Sequence, residues 1–137
     1  MKPSRRQFVA LTVSELASGQ GRPIAALKIV CTGGHPDDPE SGCGGTLARY
    51  AALGHTVTIL YLTRGEAGIS GKSHDEAAAI RSAECETSCK ILGGKPVFAG
   101  QIDGATVVDA KAVESFSRLL SAGRPDVVLR NGPSTLT

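Results

Sequence analysis

The residues able to do chemistry are concentrated in one stretch, Gly33-Gly34-His35-Pro36-Asp37-Asp38-Pro39-Glu40-Ser41-Gly42-Cys43-Gly44-Gly45-Thr46, which holds an imidazole and three carboxylates. Acidic groups packed this closely repel one another unless a cation or hydrogen bonds offset them, and imidazole with carboxylate is a suitable ligand set for zinc. The two prolines stiffen the loop and deny it helical continuation, so His35 and Asp38 can converge as metal ligands while Asp37 points elsewhere. Two ligands and one free carboxylate form a hydrolytic arrangement. A second reading makes the stretch a turn in which Asp37 or Asp38 caps the following helix and His35 is polar surface. A third, a phosphate-cradling glycine loop, lacks both G-x-G-x-x-G and the P-loop lysine.

The elements around this stretch must hold it open to a ligand. Ala25-Ala-Leu-Lys-Ile-Val-Cys31 reads as a buried strand that runs into the loop, and Gly45 to Gly54 has helical apolar spacing with a glycine stop. Thr56 to Thr63 is a β-branched strand, Asp75 to Leu92 a long helix ended by Gly93-Gly94, and Pro96 to Ala99 a short strand. Val107 to Leu120 reads as a further helix and Arg124 to Leu129 as a fourth strand. Strands alternating with helices pair in parallel through right-handed crossovers, which makes the fold class α/β. Ligands in such sheets sit beyond the carboxyl ends of the strands, in the segments after Cys31, Thr63, Ala99 and Leu129.

His35-Pro-Asp-Asp-Pro-Glu-Ser-Gly-Cys-Gly-Gly-Thr46 resembles the signature of the LmbE-like, or PIG-L, N-acetylglucosaminyl deacetylases. The similarity extends through Gly54-His-Thr-Val-Thr58, Leu62-Thr-Arg-Gly-Glu66, Ala79-Ile-Arg-Ser-Ala-Glu84, Leu92-Gly93 and Pro125-Asp-Val-Val128, and so covers nearly everything from Lys28 to Leu129. The resemblance implies a Rossmann-like parallel sheet with helices on both faces. It implies zinc held by His35 and Asp38, with Asp37 as general base for the attack of water on an amide carbonyl. The implied substrate is an N-acetylglucosamine-containing conjugate, which loses its acetyl group as acetate. Arg81 and Glu84 match a recurrent R-x-x-E pair that holds substrate or braces the site; an ion pair on a helix surface is the alternative. Arg64 and Glu66 are site-wall residues or simple loop charges, and His55 and His74 match no ligand position and read as surface histidines.

Members of that family are longer, and after the Pro-Asp-Val-Val strand they carry a histidine-rich segment that supplies the third zinc ligand. Here no histidine follows His74, so zinc would have two protein ligands where a catalytic zinc takes three. Synonymous codons for residues 131–137, read two bases on, spell Trp-Pro-Ile-Asp-Thr-His, close to the family's segment. The expectation is therefore a frameshifted gene, with residues 25–137 an LmbE-like domain incomplete at its carboxyl end. The competing reading is a catalytically incompetent α/β fragment or a non-catalytic binding module of the same fold.

With 137 residues the chain is one domain, and 41% apolar with 20% charged residues is a globular composition. A net charge of +2 gives no electrostatic footprint for nucleic acid, and no apolar run is long enough to span a bilayer. Ser4-Arg5-Arg6-Gln7-Phe8 resembles a twin-arginine export signal, but the following apolar run is short, so residues 1–24 are either that signal or a cytoplasmic protein's solvated arm. Cys85 and Cys89, one helical turn apart, read as buried thiols rather than a metal pair.

Overall fold

The computed structural model describes residues 25–130; the twin-arginine-like segment and residues 131–137, on which the frame argument rests, lie outside the described residues. The chain forms, in order, β1 (Lys28–Gly33), α1 (Asp38–Ala52), β2 (Thr56–Tyr61), α2 (His74–Leu92), β3 (Lys95–Phe98), α3 (Ala110–Ala122) and β4 (Val127–Arg130). The four strands make one parallel sheet in the order β3-β2-β1-β4, so the α/β expectation holds. Ile29 of β1 pairs with Val57 on one side and Val127 on the other, and Cys31 with Ile59 and Leu129.

Side-chain alternation along the strands separates two faces. Ile29, Cys31, Val57, Ile59 and Tyr61 point to one face and pack with Leu47 of α1 and Cys85 and Cys89 of α2 in a single buried cluster. Thr32 and Leu62 belong to the opposite set and meet Phe116 of α3. Right-handed crossovers produce this arrangement: the chain winds outward through α1 and α2 to β3, then returns through α3 to the far side of β1. The chain leaves β1 toward β2 while β4 lies on the other side of β1, and beside the carboxyl end of β1 lies a crevice of about 350 Å³ lined by Thr32, Gly33, Gly34, Leu62, Phe116 and Arg130.

Two element boundaries differ instructively from expectation. The prolines do not keep helix out of the chemical stretch: α1 starts at Asp38, with Pro39 in its first turn, where a missing N–H costs nothing. The helix instead pays for the glycines that follow, kinking at Cys43 (φ −151°, ψ 21°) between Gly42 and Gly44. At the other end of the chain, α3 begins at Ala110 rather than Val107 because Asp109 caps it, its Oδ1 accepting the Ala112 N–H at 2.7 Å.

Candidate functional site

The stretch after β1 is held by backbone before any side chain acts. Gly33, the last residue of β1, and Gly34 beyond it carry the ladder on, their carbonyls accepting the Leu62 and Thr63 N–H groups at 2.9 Å. Gly33 lies so close to α1 that a Cβ there would stand 2.6 Å from Pro39 Cδ, so the turn from strand to helix tolerates glycine alone. Asp38 then ties the turn: its Oδ2 accepts the Gly34 N–H at 3.0 Å and the His35 N–H at 2.9 Å.

His35 and Asp38 converge as expected, with His35 Nδ1 3.4 Å from Asp38 Oδ2. The other ring nitrogen, Nε2, lies 3.0 Å from Asp103 Oδ1. An Nε2–H donated to Asp103 leaves Nδ1 as a lone pair facing a carboxylate oxygen, two acceptors with no proton between them. Their separation matches the edge of a tetrahedron built on metal bonds of about 2.0–2.1 Å, roughly 3.4 Å, so this pair fits a shared divalent cation.

Asp37 points away from that pair, as expected, and is mostly exposed. It sits at the cap position of α1 with φ +95°, and its N–H donates to Glu40 Oε2 at 3.2 Å. Asp37 thus occupies the helix-cap position that the second sequence reading gave to it or to Asp38. Its carboxylate meets Arg81, whose Nη2 lies 3.1 Å from Asp37 Oδ2 and also donates to the Pro36 carbonyl. Arg81 is mostly buried, its Nε finding no partner among the described residues beneath the Gly65 turn, where a Cβ on Gly65 would stand 3.1 Å away. The surface-pair alternative for Arg81 and Glu84 is therefore corrected: the arginine crosses to Asp37, 44 positions away, and Glu84 is exposed on the rim of a cleft of about 160 Å³ that it lines with Asp37, Glu40 and Arg81.

The loops after β2 and β3 complete the surroundings. Glu66 is buried, against the reading of a simple loop charge; its Oε2 accepts the N–H groups of Arg64 and Asp103, both at 3.1 Å. Glu66 therefore fixes the loop that brings Asp103 to His35, and Asp103 Oδ2 in turn accepts the Ala67 N–H at 3.2 Å. The Arg64 side chain is exposed, with its guanidinium 5.9 Å from the centre of the Phe98 ring. Asp103 escaped the sequence reading. Its signal was position alone, an acidic residue just after β3 in a segment that the sheet topology already marks as ligand-facing.

Beneath the site lies a polar knot in the core. Tyr61 Oη donates to Glu40 Oε1, which also takes the Ser88 hydroxyl at 2.8 Å, and Cys89 Sγ lies 3.5 Å from the same phenol. Burial, with hydrogen bonds to Cys85, Glu40 and Cys89, holds the Tyr61 phenol above its ordinary range, so it remains a donor to the carboxylate. Cys85 and Cys89 are buried, as expected. His55 is more than surface: it is half-buried beside Tyr50 and its Nδ1 accepts the Leu27 N–H at 3.1 Å, at the opposite end of β1 from the site. His74 opens α2 and is exposed.

The profile of the family described as PIG-L: GlcNAc-PI de-N-acetylase matches residues 30–135. The chain belongs to this family. Among curated PIG-L relatives, the 1D-myo-inositol 2-acetamido-2-deoxy-alpha-D-glucopyranoside deacetylase of Corynebacterium diphtheriae is 28% identical over 82% of this chain and 47% of its own length. The diacetylchitobiose deacetylase of Thermococcus kodakarensis is 31% identical over 77% of this chain and 41% of its own. Among solved structures, the N,N'-diacetylchitobiose deacetylase of Pyrococcus horikoshii in complex with its inhibitor MPG superposes with a TM-score of 0.71 at 26% identity, covering 93% of this chain and 50% of that one. The chain thus spans about half the length of the PIG-L relatives it matches, and its sheet is that of the deacetylase fold.

Proposed function

We propose that this site removes the acetyl group from an N-acetylated amino-sugar conjugate, with His35 and Asp38 as zinc ligands and Asp37 as general base. The observation that carries the reading is the division of labour in one turn. His35 Nδ1 and Asp38 Oδ2 face each other at 3.4 Å, while Asp37 is drawn aside by Arg81. Bound there, zinc would polarise the acetamide carbonyl and make water a stronger nucleophile at neutral pH. The chain's own residues do the rest. Asp103 fixes the His35 ring so that Nδ1 is the ligand atom, Asp37 takes the proton of the attacking water, and Arg81 holds that carboxylate in place. The C–N bond then breaks, leaving acetate and the free amine. Glu84, exposed, and Arg81 line one cleft beside Asp37 and are walls for the sugar, with the exposed Arg64 contacting it from the loop after β2. The third protein ligand that a catalytic zinc takes comes, in this reading, from outside residues 25–130.

Zinc titration of the purified chain against a chelating indicator tests the ligand pair. The two ligands of this chain are expected to bind one zinc weakly in the parent, and that binding is lost in both His35→Ala and Asp38→Ala; unchanged zinc affinity in those two variants would sink the proposal. Asp37→Asn is expected to keep its zinc. In a form that releases acetate from an N-acetylglucosamine conjugate, the same substitution should slow release by about 10²–10⁴-fold.

A further inference from the structure

We infer that Cys31 and Cys43 form a disulfide under oxidising conditions, a thiol-oxidation site that closes a ring around the whole His35–Asp38 turn. The two sulfurs are in contact, Sγ to Sγ 3.4 Å, although twelve positions separate them in sequence and they lie on different elements. A disulfide bond is about 2.05 Å long, so roughly 1.4 Å of approach completes it. The backbone has a place to supply that movement, because Cys43 is the one non-helical residue inside α1 and has glycine on either side in sequence.

The other two cysteines are a contrasting case. Cys85 and Cys89 stand on successive turns of one helix, where two side chains rarely attain disulfide geometry. With Glu40 they present three metal-binding atoms within 4.8 Å of one another, but that carboxylate oxygen is already occupied by the Tyr61 and Ser88 hydroxyls. Those two thiols therefore serve as an internal control.

The order of events follows from burial. Cys31 is fully buried, and burial together with its contact to Cys43 pushes its thiol up to about 12, so it remains protonated. Cys43 is half-buried and is the point of entry. Its thiolate attacks a low-molecular-weight disulfide such as oxidised glutathione, forming a mixed disulfide and releasing one glutathione thiolate. The Cys31 sulfur, losing its proton to the second departing glutathione thiolate, then displaces that thiolate from Cys43. Two protein thiols are oxidised to one disulfide and one glutathione disulfide is reduced to two thiols. The ring so formed contains Gly33, His35, Asp37 and Asp38, and it ties the start of α1 to the end of β1.

The test is a non-reducing peptide map of the folded chain after incubation with oxidised glutathione and alkylation of the remaining thiols. The expected result is a linked Cys31–Cys43 peptide in the parent and in the Cys85→Ser/Cys89→Ser variant. Thiol loss should be about tenfold slower in Cys43→Ser, which removes the point of entry. The oxidised parent should also melt above the reduced parent, with the difference abolished by dithiothreitol. A Cys85–Cys89 link, a scrambled set matching that of the urea-unfolded chain, or four thiols still free after the unfolded chain has oxidised would each overturn the inference. Should Cys43→Ser fail to fold, the parent's own peptide map decides.

Discussion

The two faces of the sheet are built from similar residues and end in different states. On the α1 and α2 face, Leu47, Ile59, Tyr61 and Cys89 are wholly removed from solvent. On the α3 and β4 face, α3 buries no residue, Val113 is 54% exposed and Val128 of β4 is 47% exposed. Yet α3 carries the cleaner amphipathic stripe, with Val113, Phe116 and Leu120 at helical spacing, whereas α2 is rich in alanine and charge. Burial therefore follows coverage rather than pattern. α1 and α2 also pack against each other, so each closes the other's flank over β1 and β2, while among the described residues α3 has no helix packed beside it and β4 ends the sheet. The site sits at the seam: its His35–Asp38 turn is anchored on the closed face by Pro39 and Glu40, and its crevice opens toward Phe116 on the other.

The sharpest way to break this comparison is to truncate one apolar residue on each face. Leu47→Ala is expected to cost about 2–5 kcal/mol in urea unfolding because it empties a closed core. Val113→Ala on α3 should change stability by no more than about 0.5 kcal/mol, as an exposed position does. Equal losses would mean that the faces are not energetically distinct. A smaller effect sharpens how the seam is held. Glu66→Ala leaves the Arg64 and Asp103 N–H groups without their acceptor and should cost about 1–3 kcal/mol by the same measurement.

Asp103→Asn separates positioning from stability. Under the proposed function it should weaken zinc binding by about 10–100-fold in a chelator competition while moving the melting temperature little, because the ring of His35 loses the carboxylate that orients it. The smallest effect concerns the start of α2, where Glu76 reaches back to the Ser73 N–H and hydroxyl. The Ser73 hydrogen bonds hold the Glu76 carboxyl below its ordinary value of 4.5. A lowered folded pKa means that this contribution is present at pH 7 and is lost as pH falls through the folded value. The melting difference between the parent and Glu76→Gln should therefore be small and positive at about pH 7 and disappear as pH falls through the lowered value.

Much of this was legible in the sequence because the signals were local. Alternating apolar strands and glycine-stopped helices marked every described element, with errors confined to ends such as the start of α1. That error had a physical cause: proline was weighed as a helix breaker, whereas in a first turn it is a helix starter. His35 and Asp38 do meet while Asp37 turns aside, but the reason offered from sequence, prolines that bar a helix, was not the one at work, since Pro39 lies in the first turn of α1. Arg81 was visible as a motif residue but not as the partner of Asp37, and Asp103 was not visible at all.

Composition and pattern alone determined an α/β chain, its strand order of appearance and the turn that carries His35 and Asp38. Those properties depend on residues within a few positions of one another, whose preferences add up along the chain. Only the tertiary structure decided that Arg81 crosses to Asp37, that Glu66 is a buried brace, that Asp103 orients His35, and that Cys31 touches Cys43. The contacts of Arg81, Glu66 and Asp103 join segments brought together by the parallel register of β1, β2 and β3, and that of Cys31 with Cys43 depends on how α1 packs back on β1; no spacing within the sequence encodes where separate segments meet.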